Sequence, residues 1–175
     1  NMKVKKSSFV YGLICDAPVC LALCLTSNII AVTTKINGSI SIAWENINWI
    51  GLTYNFPIAL ILAMLISCFV PLVRIGKWFT GLFGIKHDTF KGNLPYRLLA
   101  MFSSTMIFFI VITPSLNILN CYVFPAIFGG HVCTLQEGLI SLGNNTPFMI
   151  LVGYIVSLIS DIPAYKVAHH IDPEF

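Results

Sequence analysis

Four long apolar stretches constrain this chain more than any motif in it. They run roughly from Ser8 to Val32, Ile50 to Val73, Arg97 to Leu119 and Thr146 to Val167. Each is near the roughly 20 residues that cross about 30 Å of hydrocarbon at 1.5 Å per residue. Only 10% of the 175 residues are charged and 57% are hydrophobic, against about 25% charged in soluble domains. Too little polar surface exists to wrap four such runs in water. The expected fold is therefore all-α and integral to a membrane, with four transmembrane helices.

The runs are organised in pairs. Asn55-Phe56-Pro57, an apolar run with Ser67 and then Pro71 recurs as Asn145-Thr146-Pro147, an apolar run with Ser157 and then Pro163. At nearly the same offset Asn28-Ile29 matches Asn117-Ile118. Two helices per unit give both units one orientation, so the chain reads as two tandem parallel helix pairs, residues 1–85 and 86–175. Internal repeats of this kind are associated with transporters whose sites lie at the repeat interface.

Lys and Arg set the expected orientation. Lys3, Lys5 and Lys6 precede the first run, Arg74, Lys77, Lys86, Lys91 and Arg97 fall between the pairs, and Lys166 is in the tail; the two other loops hold only Lys35. By the positive-inside rule both termini and the middle loop, Gly76 to Pro95, face the cytoplasm in a multi-pass protein of the cell membrane. The net charge of +3 is thus assigned to orientation and to anionic-lipid contact, not to nucleic acid. The first apolar core is longer than the 7–15 residues of a signal peptide, and reads as a retained helix, with Asn1 ahead of Met2 as a remnant of processing. Trp44 and Trp49 fall at the outer end of the second span and Trp78 at its inner end, as an interfacial belt would have them. Thr33 to Ala43 is expected as a short polar loop with Asn37-Gly38-Ser39 as its turn, and Asn120 to Asn145 as a longer connection able to fold over the outer mouth.

Asp16 is the sharpest candidate site residue. It lies well inside the first span, where an ionisable group costs several kcal/mol unless paired, hydrated or protonated. It would serve proton or cation coupling, bind a cationic substrate, or cap the helix break made by Pro18. Asp16, Cys20, Cys24 and Asn28 recur every four residues, a polar face expected to point into the bundle. Cys20 and Cys24, with Cys68 and Met64, are weak candidates for a soft metal; no Cys-x-x-Cys or His-containing metal motif accompanies them, and the thiols read first as packing residues. Asn28, Asn55, Asn117 and Asn145 are the expected lining of a substrate path, since a Pro two residues after Asn55 and Asn145 frees backbone carbonyls. The alternative is that each Asn bonds across a helix interface or marks a first turn.

Asp161 is expected to face headgroup water or to pair with Lys166, and Glu45 and Glu137 to keep the outer mouth wet or attract cations. Cys121 and Cys133 both fall on the outer side, where a disulfide is permitted. Two glycosylation-type triplets, Asn37-Gly38-Ser39 and Asn144-Asn145-Thr146, are present. No catalytic Ser/His/Asp series, phosphate-binding Gly loop or nucleotide motif is found; no cofactor is expected, and a membrane enzyme using Cys20 or Cys24 stands only as a third reading behind two non-enzymatic ones.

Asn55-Phe56-Pro57-Ile58-Ala59-Leu60, running into Phe69-Val70-Pro71-Leu72-Val73-Arg74, resembles the second helix of the bacterial two-helix family known as domain of unknown function 2798. Ile162-Pro163-Ala164-Tyr165-Lys166 resembles a degenerate copy. The resemblance implies a small bacterial membrane protein and carries no activity with it. The tandem pairs are also similar in architecture to the proteobacterial antimicrobial efflux family, but that family's Arg-x-x-His and Phe-Glu motifs are absent: Arg97 is followed by Leu98, Leu99 and Ala100.

The function expected is a small transporter or permease for an apolar or cationic compound, with Asp16 as the coupling or recognition charge and the asparagines along the path. A homodimer would enlarge the space for a conduit. The other class in play is a non-transporting accessory, immunity or sensory membrane protein that acts through a protein partner.

Overall fold

The computed structural model describes residues 6–31, 33–36, 39–85 and 94–172. Val32, the Asn37-Gly38 turn, Lys3, Lys5, Lys86 and Lys91 lie outside them. The chain order is α1 (Lys6–Ala31), a two-stranded antiparallel hairpin β1 (Thr33–Ile36) and β2 (Ser39–Ile42), α2 (Trp49–Phe69), α3 (Leu72–Leu82), α4 (Leu94–Ile118), a π-helical turn (Leu119–Val123), α5 (Phe124–Phe128) and α6 (Leu135–Ile171). Four helices are long and apolar enough to cross a membrane: Phe9–Ile30, Trp49–Phe69, the continuous Leu94–Phe128, and Leu135–Ile171. The architecture is all-α apart from the short hairpin, as a bilayer demands of chains that must satisfy their own backbone polar groups.

Small residues let these helices approach. The buried face of α2 is Gly51, Asn55, Ala59 and Ala63, one residue per turn. On α6 the buried series is Met149, Gly153, Ser157, Ser160, Asp161, Ala164 and Ala168. A Cβ at Gly153 would sit 3.3 Å from Leu23, and one at Gly76 3.3 Å from Ala100. Such stripes are what drive helix association where lipid is as apolar as Leu. The large apolar side chains point outward instead: Ile61, Leu65, Phe69, Ile110, Leu151, Ile155 and Ile159 are all exposed on the bundle surface. Helix α1 packs most extensively against α6, then α2.

Ser7 Oγ donates to Asp172 Oδ2 at 3.3 Å, so the start of α1 and the end of α6 meet at one end of the bundle, the termini end. The hairpin marks the other. Exposed Trp44 and Trp49 ring the hairpin end and exposed Trp78 lies toward the termini end.

Four segments differ from the sequence expectation. Thr33 to Ala43, expected as a polar loop, contains the paired strands of the hairpin. The middle loop begins as a helix, α3, whose Gly76 and Thr80 are buried and whose Arg74, Lys77 and Trp78 are exposed; Phe79 stacks toward Phe102 of α4. The last span starts at Leu135, eleven residues before Thr146, because Thr134 and Glu137 form a capping box: Thr134 Oγ1 accepts from the Glu137 N–H at 3.3 Å and the Thr134 N–H donates to Glu137 Oε2 at 2.7 Å. Glu137 therefore caps a helix. Most of the Asn120–Asn145 connection is helical as well.

Candidate solute cavity

A cavity of about 390 Å³ opens toward the hairpin end between α1, α4 and α6. Its polar wall comprises Ser27 and Asn28 of α1, Asn48, Thr113 and Asn117 of α4, Asn120 and Cys121 of the π-helical turn, and Ser141, Asn144 and Asn145 of α6. The structure thus brings three expected path residues, Asn28, Asn117 and Asn145, to one chamber. The fourth, Asn55, is buried one layer behind it and donates through Nδ2 to Asn120 Oδ1 at 2.8 Å. Asn55 and Asn145 lie inside continuous helices, not at first turns; α2 runs through Pro57 and α6 through Pro147.

The amides are held in place locally. Asn28 Nδ2 donates to the Cys24 carbonyl at 2.9 Å, and Asn117 Nδ2 to the Gly138 carbonyl at 3.0 Å. Asn145 Nδ2 lies 3.4 Å from Ser141 Oγ. Two buried oxygens, Thr113 Oγ1 and Asn55 Oδ1, have no partner among the described residues.

Sequence reasoning missed Thr113 and Asn120. The position of Asn120 depends on a π-helical turn, a local widening that recurs at functional sites. Pro125, which has no N–H, follows the turn, and the Cys121 carbonyl within it accepts from the Cys133 N–H at 2.9 Å. Cys121, which lines the cavity, and Cys133 are thereby neighbours, both as free thiols.

The floor of the cavity is apolar. Met149 lines it and also lines a second, smaller void of about 40 Å³ deeper in the bundle. Met149 is buried with Val19 and Leu23, while Cys20 and Cys24 pack with Ala59, Ala63, Ile112 and Leu116. Beyond this plug Asp16 faces the smaller void beside Ser104, Thr105 and Ser157, a space that holds a few waters at most. Asp16 Oδ2 accepts from Ser67 Oγ at 3.0 Å, and Thr105 and Ser157 hydroxyls lie 3.2 Å apart. Among the described residues no basic side chain pairs with Asp16.

The polar face of α1 does point inward: Asp16, Cys20 and Cys24 are buried. Cys68, however, is exposed and does not join Cys20 and Cys24. Among the described residues no three of His, Cys, Asp and Glu gather; the helix spacing that aligned the two α1 thiols places Cys68 on the outward face of α2.

Toward the termini end a third polar cluster closes the bundle. Asp161 is fully buried. It accepts from Tyr11 Oη of α1 at 2.6 Å and from Arg97 Nη2 of α4 in a very short ion pair. The expected exposure of Asp161, or pairing with Lys166, is not what the fold does: α6 turns Asp161 inward, in line with Ser157 and Ala164, and leaves Lys166 exposed.

Compared with protein-family models, with curated proteins and with solved structures, the chain matches none of them.

Proposed function

We propose that the protein is a small membrane permease that receives a solute in the cavity at its hairpin end and couples its passage to the protonation of Asp16. The observation that carries this reading is the arrangement of three layers along the bundle: an open polar chamber, a plug centred on Met149, and behind the plug the Asp16 carboxyl, bonded to Ser67 and without a basic partner among the described residues. Ionisable groups inside membrane helices are costly and mark ion or proton pathways. The Tyr11–Asp161–Arg97 cluster would close the opposite end while the chamber is open. Basic residues at that end, Arg74, Lys77, Arg97 and Lys166, favour a cytoplasmic location for it and an outward-facing chamber.

Reconstitution into vesicles tests the reading. Vesicles bearing the parent protein should swell in glycerol or acetamide faster than empty vesicles, and Asp16→Asn should lose most of that rate. Equal swelling by Asp16→Asn would remove Asp16 from the pathway. No swelling above empty vesicles would favour the non-transporting, partner-binding class.

A further inference from the structure

The chamber's wall carries a chemical preference of its own. Seven asparagine or threonine side chains, Asn28, Asn48, Thr113, Asn117, Asn120, Asn144 and Asn145, line it, and among the described residues none of its lining side chains is charged. A charged solute entering it would give up part of its hydration and meet no counter-charge among the described residues. An uncharged solute rich in hydrogen-bonding groups would exchange its water contacts one for one with amides and hydroxyls.

The wall also has groups to offer. Thr113 Oγ1 is buried and without a partner among the described residues, able both to donate and to accept. The amides of Asn28 and Asn145 spend an N–H on the protein and keep their carbonyl oxygens as acceptors. Asn120 spends its carbonyl on Asn55 and keeps its amide donors. Donors and acceptors are therefore both on offer in a space at the small end of the roughly 300–1,000 Å³ typical of small-molecule sites.

We infer that the chamber is a binding site for small uncharged solutes carrying both donors and acceptors, amides and polyols being the simplest examples. The inference rests on the permease reading for what happens after binding, and it departs from the apolar or cationic compound expected from the repeat and Asp16, because Asp16 lies behind the plug and does not line the chamber.

Cys121 provides a native reporter in the wall. The test uses the full chain in detergent with Cys68→Ser and Cys133→Ser, and Cys121→Ser in that background as the blank. The thiol is treated with neutral methyl methanethiosulfonate and with its trimethylammonium-ethyl and sulfonatoethyl analogues, each rate divided by the rate on free glutathione. Each reaction forms a mixed disulfide at Cys121 and releases methanesulfinate. The neutral reagent should react at least tenfold faster than either charged one. Acetamide or glycerol should slow it severalfold, tetramethylammonium at the same concentration should not, and Thr113→Val should remove most of the protection. A charged reagent matching the neutral one, protection by tetramethylammonium, or no reaction at Cys121 with any reagent would overturn the inference. Labelling needs no transport. Neutral selectivity without Asp16-dependent swelling would leave the site and remove the permease, and the opposite pair of results would do the reverse.

Discussion

Arg97, in the first turn of α4, and Asp161, deep in α6, form a buried ion pair across 64 residues of sequence, with the Asp161 side chain 1% exposed and that of Arg97 28%. Tyr11 of α1 completes it, so one carboxylate holds three helices together.

Removing one partner strands the other charge. Asp161→Ala should cost about 3–5 kcal/mol, the range for breaking a buried pair, and Tyr11→Phe about 1 kcal/mol. Thermal unfolding in detergent checks both. Replacing Arg97 and Asp161 together by Leu should recover a large part of the loss, because a buried pair is often no better than apolar packing. A double variant as unstable as Asp161→Ala would contradict this.

Met149 separates the chamber from the Asp16 void. Met149→Ala should join the two spaces and raise solute leak through reconstituted vesicles severalfold, at a stability cost of about 2–5 kcal/mol for a truncated buried Met. Unchanged leak from folded protein would show that the plug lies elsewhere.

Gly138 lies under Tyr122, whose hydroxyl is 2.5 Å from where a Cβ would stand. Gly138→Ala should lower the melting temperature by several degrees, corresponding to about 1–3 kcal/mol of overpacking. Tyr122→Phe in the same chain should restore most of it by deleting the oxygen that clashes. Failure of that rescue would place the strain in the backbone of α6.

Cys121 and Cys133 are joined through their backbones. Oxidised glutathione should convert them into an internal disulfide with release of two reduced glutathiones, read by mass as the loss of two hydrogens. Closing so short a loop should stabilise the protein by about 3 kcal/mol, and Cys133→Ser should abolish both effects. A mixed disulfide persisting at either cysteine would mean the thiols do not meet.

The four spans were legible because apolar length is a property of sequence alone, and so was the inward face of α1, because Asp16, Cys20 and Cys24 repeat at helical spacing. Asn28 and Asn117, matched by their offset, do line one chamber, whereas of the other matched pair Asn145 lines it and Asn55 does not. The start of α6 was readable too: Thr134 and Glu137 have capping-box spacing, but the polar residues after them, through Asn145, resemble a loop. Helix α3 was hidden by its two glycines, Gly76 and Gly81, although Arg74 and Lys77 sit one turn apart. Nothing local marks the partners of Asp161. Arg97 and Tyr11 reach it only through the packing of α1 and α4 on α6. Asn120 and Thr113 were equally out of reach, since the π-helical turn that aims Asn120 has no sequence signature comparable to a cap.

The most direct measurement of the coupling claim is internal pH in dye-loaded vesicles carrying the reconstituted protein, recorded as glycerol or acetamide is added outside. Inward movement of solute with a proton bound at Asp16 should acidify the lumen with the parent protein, and Asp16→Asn should leave the pH flat. An identical pH change with Asp16→Asn, or solute uptake by the parent with no pH change at all, would contradict Asp16 as the coupling carboxyl.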